Sequence, residues 1–529
     1  MSDPRETAQR WLGAEPDEDM RDELRTLLEG PDAALVERFT GRLQFGTAGL
    51  RAAVGAGPQR MNRLVVRQAA AGLAEYLLRH VPGATEHGVI IGHDARRKSD
   101  VFAIDTARVL AARGIRARVF TSVVPTPVLA WNIVGTGSAA GVVVTASHNP
   151  PADNGYKVYL GTGAQIVPPA DVDIAAAIDE FDPCTVELAP EDDPLIERLD
   201  DTLVEAYLDS VPGVRLVPGL TGRPVAYTAM HGVGGAVLLA AFERAGLARP
   251  HVVAEQQQPD GRFPTVSFPN PEEPGAMDLV TAVAIEHGCT VAVANDPDAD
   301  RLGAAIPTRD GSWRRLTGDE LGWLLADHIL THTSGDDRLV VTTLVSSSLL
   351  GRMAERHGIH SAETYTGFKW IGHTVLERPG QRLVFGYEQA LGYLVTDRPL
   401  DKDGITAAVL LAEIAALAER DGVTIEDRLD AIAASYGRHI TADLSIRMTP
   451  AEAADAVGRL RAAPPTEIGG KAVTSTEWYG EAGLLRFEIG DDLRLQIRPS
   501  GTEPKVKLYA EGIGLDPAPY VEALAALLA

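Results

Sequence analysis

The chain has 529 residues, of which 45% are hydrophobic and 23% charged, as is usual for a folded globular protein of about three or four domains. Asp and Glu number 73 against 49 Lys and Arg, and the resulting net charge of -24 disfavours general binding to nucleic acid or to an anionic membrane surface. The two cysteines, Cys184 and Cys289, provide no disulfide framework, so we expect a reducing, cytoplasmic setting.

Neither a targeting segment nor a membrane span is expected from the hydropathy pattern. Residues 1–19 lack an apolar core and a small-residue cleavage site, so we expect no signal peptide. The most apolar helical stretch, 405–418, is shorter than the ~20 residues that a membrane span needs, and it carries Glu413.

Short apolar strands alternate with longer amphipathic helices along most of the chain. A charged helical arm is predicted over 5–43, and a helix over 99–113. Strands, several of them followed by a Gly-rich or acidic turn, are predicted over 88–94, 117–120, 140–147, 223–235, 289–301, 339–347 and 382–389. This alternation predicts an α/β fold.

Gly, Pro and polar residues interrupt the alternation near 212–222, 310–313 and 436–438. The predicted domains are therefore 1–215, 216–312, 313–437 and 438–529. The first three are α/β domains of similar rhythm. The last alternates strands with Ala-rich helices and is predicted to be a small α+β domain.

The first candidate site is T-A-S-H-N-P, residues 145–150, at the end of a Val-rich strand. Ligands of open α/β sheets bind at the carboxyl ends of strands, which makes Ser147 a candidate for chemistry. A plain turn is the alternative, because Ser, His, Asn and Pro all favour turns. A serine-hydrolase elbow is excluded, since the segment lacks the G-x-S-x-G pattern.

The second candidate site is D-P-D-A-D-R, residues 296–301, again after an apolar strand. Carboxylates at alternate positions of an extended segment point the same way and can bind a hard divalent cation such as Mg²⁺. An EF-hand is excluded, because Arg301 and Pro307 stand where that loop needs Gly and Glu. A solvated acidic loop is the alternative.

Two further regions have the composition of a phosphate or sugar site. R-P-S-G-T-E-P-K, residues 498–505, combines an Arg for bidentate contact with phosphate and small residues whose backbone a ligand can approach. Polar, Gly-flanked loops at 366–369, 386–393 and 401–404 suit sugar hydroxyls. A turn or a Gly-rich connection is the alternative for each.

Taken together, these motifs resemble those of the α-D-phosphohexomutase superfamily, which includes phosphoglucomutases and phosphomannomutases. The resemblance runs from F-G-T-A-G-L-R (45–51) to the 498–505 motif, and T-G-F-K-W-I-G (366–372) is most similar to the phosphoglucomutase/phosphopentomutase subgroup. It implies three α/β domains and a fourth, TATA-box-binding-protein-like domain around a central cleft.

The resemblance implies that Ser147 is the phosphorylated serine and that its phosphate binds Mg²⁺ together with three aspartates, Asp296, Asp298 and Asp300. It places Arg301 beside the transferring group and brings Thr47 and Arg51 in from the first domain. Lys157 matches the general acid/base lysine, whose pKa would have to be lowered towards neutrality by nearby positive charge. His148 is a second candidate proton carrier.

The implied substrate-binding positions fall into two groups. Those that read the sugar are Thr366, Gly367, Glu388 and Lys402. Those that grip the phosphate that does not react are Arg498, Ser500, Gly501 and Thr502.

The expected reaction interconverts glucose 1-phosphate and glucose 6-phosphate through a bisphosphorylated sugar, with Mg²⁺ as cofactor and a sugar 1,6-bisphosphate as activator. Ala390 stands where many phosphoglucomutases carry Ser, and an Ala there occurs in the subgroup that includes phosphopentomutases. Phosphomannomutase and phosphopentomutase activity therefore stay open.

Three other functional hypotheses also stay open. They are a sugar-bisphosphate synthase, a sugar-phosphate-binding regulatory protein, and a phosphatase with Asp296 as nucleophile. The expected partners are small sugar phosphates, and the protein is expected to be a monomer or a homodimer.

Overall fold

In the computed structural model, which describes residues 3–500 and 504–528, the chain forms two compact units that interleave in sequence. The first unit comprises Met1–Arg315 and Leu391–Asp421, and the second comprises Leu316–Ala390 and Gly422–Ala529. The long helix predicted inside the third domain thus belongs to the first unit. The bounds of the four domains drawn from the sequence stay a prediction.

The helices and strands follow one another along the whole described chain. The α-helices are α1 (Pro4–Ala14), α2 (Glu18–Glu29), α3 (Asp32–Phe39), α4 (Arg63–His80), α5 (Ala84–His87), α6 (Ser99–Ala112), α7 (Thr126–Gly135), α8 (Ala170–Ile178), α9 (Thr202–Ser210), α10 (Gly234–Arg244), α11 (Asp278–His287), α12 (Gly318–His332), α13 (Leu349–His357), α14 (Phe368–Leu376), α15 (Gly404–Arg420), α16 (Ile425–Tyr436), α17 (Pro450–Ala462) and α18 (Ala518–Ala526). The strands are β1 (Leu50–Ala53), β2 (Val89–His93), β3 (Ala117–Phe120), β4 (Ala140–Val144), β5 (Asp153–Leu160), β6 (Ile196–Leu199), β7 (Ala226–Thr228), β8 (His251–Val252), β9 (Ala292–Asn295), β10 (Leu302–Pro307), β11 (Trp313–Arg315), β12 (Arg338–Thr343), β13 (His360–Thr364), β14 (Arg382–Glu388), β15 (Gly392–Leu394), β16 (His439–Arg447), β17 (Glu467–Ile468), β18 (Lys471–Ala472), β19 (Ser475–Tyr479), β20 (Leu484–Ile489), β21 (Leu493–Pro499) and β22 (Lys505–Ile513).

Two sheets of similar layout form the first unit. In the order β1-β5-β4-β2-β3-β6, strands β4, β2, β3 and β6 run parallel, and β5 and β1 are antiparallel to their neighbours. In the order β11-β10-β9-β7-β8, strands β9, β7 and β8 run parallel, and β10 and β11 are antiparallel. The 145–150 loop follows β4 and the 296–301 loop follows β9, so the two motifs lie at corresponding strand ends.

The inner strands of these sheets are buried on both faces. Strands β2 and β4 are buried at every residue, and each is a nearly continuous apolar run. That pattern is typical of parallel strands covered by helices on both sides, and it is why the sequence reveals these strands so clearly.

The second unit contains a parallel and an antiparallel sheet. Strand β12 pairs in parallel with β13 and β14. Strands β16-β22-β21-β20-β19 form an antiparallel sheet covered by α17 and α18, which agrees with the predicted α+β character of the last domain. Glu511 joins the two sheets, because its carboxylate accepts a hydrogen bond from Ser347 after β12 and forms an ion pair with Arg494 in β21.

The helical arm and the predicted strands are confirmed, but the sequence analysis missed several other strands, among them β10 and β5. Strand β5 matters most, because it carries Lys157. Its segment D-N-G-Y-K-V-Y-L contains Asn, Gly and Lys, which disfavour a strand assignment. Gly155 is required there, because a Cβ atom would lie 2.5 Å from the carbonyl oxygen of Thr145 and 2.9 Å from that of Leu50. Among the described residues, no helix is long and apolar enough to cross a membrane.

A buried ion pair holds the connection between β6 of the first sheet and β7 of the second sheet. Glu413 in α15 is 0% exposed, and its carboxylate accepts hydrogen bonds from the Arg215 Nε at 2.9 Å and the Leu216 N at 2.9 Å. Arg215 also donates to the carbonyl oxygen of Leu220 at 2.6 Å. Loss of either charge would leave the other buried without compensation.

Glu413→Gln is therefore expected to lower the free energy of unfolding by about 3 kcal/mol, measured by urea titration. The matched control is Glu419→Gln on the same helix, whose partner Arg223 is 64% exposed. That control is expected to cost less than about 1 kcal/mol. Equal losses for the two variants would contradict this account.

Candidate active site

Ser147 lies in the 145–150 loop that follows β4, and its backbone is left-handed with φ of 52°. Such a conformation is uncommon for a residue with a side chain. The Ser147 N–H donates to Thr145 Oγ1 at 2.8 Å, and its Oγ donates to Asp296 Oδ2 at 2.7 Å. The Nδ1 atom of His148 lies 3.2 Å from the same Oγ. The loop thus directs the serine hydroxyl at the acidic motif of the second sheet.

The three aspartates of the 296–301 loop converge on one point. Asp296, Asp298 and Asp300 are each fully buried, and they offer carboxylate oxygens that all lie within 4.8 Å of one another. Oδ1 of Asp298 and Oδ1 of Asp300 are buried and accept no hydrogen bond from any residue that the structure describes. Oxygens in that condition are the ligands that Mg²⁺ takes, so the residues present fit the cation.

Two lysines partly balance this negative charge. Lys157 in β5 donates to Asp298 Oδ2 at 2.7 Å and to Asp300 Oδ2 at 2.8 Å, and Lys402 Nζ lies 3.3 Å from Asp300 Oδ2. Burial disfavours the charge on Asp300, but these cations outweigh burial and hold its pKa well below the usual range. Burial, together with the two neighbouring carboxylates, raises the pKa of Asp296 well above its usual value.

The pKa of Lys157 is shifted in the opposite direction from the expectation. Burial disfavours its positive charge, but Asp298 and Asp300 outweigh burial and raise its pKa. The sequence analysis expected nearby positive charge to lower that pKa. Carboxylates, which lie in direct contact with the ammonium group, dominate instead.

Lys402 lies in the same network rather than with the predicted sugar-reading residues. Its Nζ is 3.4 Å from Asp401 Oδ1 in addition to its contact with Asp300, and the residue is buried. The predicted role of Lys402 in sugar binding stays a prediction.

The 45–51 loop reaches this site through strand pairing. Arg51 in β1 lies opposite Gly155 in β5, and its Nη1 donates to Asn149 Oδ1 at 3.0 Å. Gly49 lies directly against β5, because a Cβ atom there would fall 1.8 Å from the carbonyl oxygen of Tyr156. Thr47 lies in the same turn, which ends at Gly49.

Arg301 completes the positive side of the site. Its backbone N–H donates to Asp296 Oδ1 at 3.0 Å, and its Nε lies 4.0 Å from Asp300 Oδ1. Burial and then the charges of Arg301 and Arg51 hold the pKa of His148 well below its usual value. His148 is therefore neutral at pH 7, and one of its ring nitrogens can accept a proton.

The second unit holds the predicted sugar-binding residues. Thr366 and Gly367 immediately precede α14, and Glu388, which is 6% exposed, ends β14. The next side chain is held by a serine: Gln389 Oε1 accepts a hydrogen bond from Ser346 Oγ at 2.8 Å. The backbone N–H of Gln389 donates to the same hydroxyl at 3.1 Å.

Arg498 lies near the end of β21, within the predicted phosphate motif. Its Nη2 donates to Tyr509 Oη at 3.3 Å, and its Cζ lies 5.9 Å from the centre of the Tyr509 ring. Ser500 follows the strand, and its N–H donates to the carbonyl oxygen of Lys505 at 2.9 Å. Gly501 and Thr502 lie outside the described residues.

Sequence reasoning missed Thr126, the first residue of α7. Its N–H donates to the carbonyl oxygen of Asp298 at 3.0 Å, and its Oγ1 donates to Asp298 Oδ2 at 2.6 Å. The flanking prolines of P-T-P mark a helix start, so the position could be predicted. Its hydrogen-bond partner Asp298, which lies 172 residues further along the chain, could not be predicted from the sequence.

Four family models match consecutive parts of the chain. Three describe the phosphoglucomutase/phosphomannomutase alpha/beta/alpha domains I, II and III and match residues 42–183, 205–311 and 317–436. The fourth describes the phosphoglucomutase/phosphomannomutase C-terminal domain and matches residues 445–516. The predicted fold, three α/β domains followed by a different C-terminal domain, is confirmed.

Two relatives and one solved structure extend this match. A Haemophilus influenzae protein named "Probable phosphomannomutase" is 43% identical over 466 residues, which is 86% of this chain and 94% of that protein. A Schizosaccharomyces pombe protein named "Probable phosphoribomutase" is 37% identical over 549 residues, which is 95% of this chain and 93% of that protein. The crystal structure of a phosphoglucomutase/phosphomannomutase family protein from Burkholderia thailandensis shares the fold, with a TM-score of 0.71 and 21% identity. The match covers 92% of this chain and 97% of that protein.

Asp298→Asn is expected to weaken Mg²⁺ binding at least 10-fold, because it removes a charged ligand from the converging set. The measurement is calorimetric titration of the chelator-treated protein, whose folding is checked by circular dichroism. Asp310→Asn, in the exposed turn between β10 and β11, is the matched control and should bind Mg²⁺ as the wild type does. Unchanged Mg²⁺ binding by the Asp298 variant would place the cation elsewhere.

Proposed function

Since this chain belongs to the phosphoglucomutase/phosphomannomutase family of intramolecular phosphotransferases, we propose that Ser147 carries the phosphoryl group between two hydroxyls of one sugar phosphate. The observation that carries the proposal is the position of Ser147 Oγ, 2.7 Å from Asp296 and 3.2 Å from His148, beside the three converging aspartates. A plain turn or a solvated acidic loop would not bring these groups together.

The reaction has two transfers. Phospho-Ser147 gives its phosphoryl group to the free hydroxyl of the sugar monophosphate: the bond from phosphorus to Ser147 Oγ breaks as the bond to the sugar oxygen forms, and the hydroxyl proton passes through His148 to Ser147 Oγ, which leaves a sugar bisphosphate. After the bisphosphate turns round, its other phosphoryl group passes to Ser147 Oγ, the serine proton passes through His148 to the sugar oxygen that is released, and the isomeric monophosphate leaves. A sugar bisphosphate activates a dephosphorylated chain by the second of these transfers.

Each residue of the first unit has a role that its contacts support. Neutral His148, beside Ser147 Oγ, accepts the serine proton when the hydroxyl takes up phosphate. Arg301 and Lys157 hold positive charge next to the carboxylates where the phosphate is transferred. Mg²⁺, held by Asp296, Asp298 and Asp300, would supply further positive charge to the phosphate oxygens. The acid/base role of Lys157 stays a prediction.

The predicted substrate-binding residues outside the lysine and aspartate network lie in the second unit. We assign contacts with the sugar hydroxyls to Thr366, Gly367 and Glu388. Contacts with the non-reacting phosphate are assigned to Arg498 and Ser500. Arg498 offers a guanidinium group with the fork geometry that phosphate recognition favours.

Among the possible sugars, we place pentose phosphates first. Gln389 Oε1 is bound to Ser346 and Ala390 has no polar group, so Glu388 is the one carboxylate of these three side chains that can accept from a sugar hydroxyl. A pentose presents fewer hydroxyls than a hexose and therefore leaves fewer of them unpaired. The relative named as a phosphoribomutase supports the same choice. Glucose 1-phosphate stays the prediction from the sequence and is the second substrate to test.

Turnover of ribose 1-phosphate, glucose 1-phosphate and mannose 1-phosphate, each with Mg²⁺ and the matching bisphosphate, tests this assignment. We expect ribose 1-phosphate to have the highest kcat/KM and Ser147→Ala to abolish turnover of all three. Activity of the Ser147 variant near that of the wild type would overturn the mechanism. A higher kcat/KM for glucose 1-phosphate would overturn only the choice of sugar, and accumulation of bisphosphate would favour a synthase.

Ala390→Ser is expected to raise kcat/KM for glucose 1-phosphate relative to ribose 1-phosphate by about 3- to 10-fold, the value of one added hydrogen bond. Ala390→Gly, which adds no polar group, is the control and should leave the ratio unchanged. The ratio is measured with both substrates in competition. A rise of the same size in both variants would show that the effect comes from the loop backbone rather than from the new hydroxyl.

A further inference from the structure

One buried arginine holds the whole loop that carries Ser147. Arg96 lies between β2 and α6, and its side chain is 1% exposed. Its Nη2 donates to the carbonyl oxygens of Ser147 and Asn149, each at 2.5 Å. Its Nη1 donates to those of Pro150 at 2.8 Å and Asp153 at 3.1 Å. The planar guanidinium group thus binds four carbonyls, from the serine to the first residue of β5.

The loop needs such support because its backbone is strained at Ser147. Ser147 is left-handed without being glycine, a conformation that persists only where the surroundings enforce it. Its N–H is fixed by Thr145 Oγ1, and its carbonyl oxygen is fixed by Arg96. The two contacts together determine the peptide planes on either side of the residue and hence the direction of Oγ.

Arg96 is itself held from two sides. Its Cζ lies 4.9 Å from the centre of the Phe263 ring, and Gly261 packs so closely that a Cβ there would lie 2.7 Å from Arg96 Cα. Asp94 Oδ1 accepts a hydrogen bond from the Arg96 N–H at 2.9 Å. Two loops, 94–98 of the first sheet and 260–263 beside the second, therefore enclose the guanidinium group.

The helical arm fixes the same loop. Lys98 is left-handed with φ of 67°, and its Nζ forms ion pairs with Asp17 at 2.6 Å and Asp19 at 3.0 Å, which lie before and at the start of α2. Residues 3–41, which include this arm, precede the segment matched by the first family model. The loop that presents Arg96 is thus anchored at its far end too.

We infer that Arg96 is a positioning residue for phosphoryl transfer, which holds Ser147 in the left-handed conformation that directs Oγ at Asp296. The inference rests on the proposed function, because it concerns the same serine. The sheet does not depend on Arg96, since β4 and β5 pair directly from Ala140 opposite Leu160 to Val143 opposite Lys157. Loss of Arg96 therefore displaces the serine rather than the strands.

The test is Arg96→Lys, which keeps the charge but replaces the four-carbonyl fork by a single ammonium group. We expect kcat to fall about 100-fold, the effect of a small misplacement of a reacting group, with KM for the sugar phosphate nearly unchanged. The rate at which a sugar bisphosphate loads Ser147, followed by intact mass, should fall by the same factor, whereas calorimetric Mg²⁺ binding should not change. A residue that only stabilised the fold would not produce this separation.

Arg97→Lys is the matched control, because Arg97 is the exposed neighbour and pairs with Asp19. It should load and turn over as the wild type does. Phe263→Leu, which removes the ring beside Arg96, should lower kcat in the same direction and to a smaller extent. If Arg96→Lys does not fold, Phe263→Leu decides, and an unchanged kcat in that variant overturns the inference.

The outcomes separate the inference from the proposed function. A folded Arg96→Lys that loads Ser147 at the wild-type rate, or that loses activity through KM alone, overturns the positioning role while the proposed function stands. A wild-type protein that never acquires phosphate on Ser147 overturns the proposed function and this inference with it.

Discussion

The burial of three carboxylates within 4.8 Å of one another is the constraint on which the first unit depends. Like charges so close, and removed from water, are unfavourable unless cations compensate them. Lys157 and Lys402 provide part of that compensation, and two carboxylate oxygens still accept no hydrogen bond from a described residue. A divalent cation would compensate the remaining negative charge, which gives the site a physical reason to bind one.

The two sheets of the first unit bring the reacting groups together by repeating one layout. In each, a buried parallel strand (β4 or β9) lies next to an antiparallel one and ends in a loop that carries chemistry. The serine loop and the aspartate loop therefore come from equivalent places, and a hydrogen bond between Ser147 and Asp296 joins them. The left-handed backbone conformations of Ser147 and Ala299 let the two loops turn sharply at these residues.

Local sequence was sufficient for the inner parallel strands, the helical arm and the motifs, because hydrophobic periodicity and turn composition are local properties. It was not sufficient where a contact joins distant segments. Thr126 and Arg96 have no recognisable motif of their own, and their partners lie far away in sequence. The raised pKa of Lys157 has the same origin, since which charge lies nearest to the ammonium group depends on the pairing of β5 with β4 and on the second sheet. Strand β5 itself was missed because the glycine that allows its close packing weakens the strand pattern.

The most direct test of the central claim is to locate the phosphate. The protein is incubated with a pentose or hexose bisphosphate, digested, and mapped by peptide mass spectrometry before and after a chase with the sugar monophosphate. The account predicts phosphate on Ser147 that disappears in the chase as bisphosphate is formed. Phosphate on Asp296, labile to hydroxylamine, or phosphate on Ser147 that no sugar phosphate removes, would contradict it.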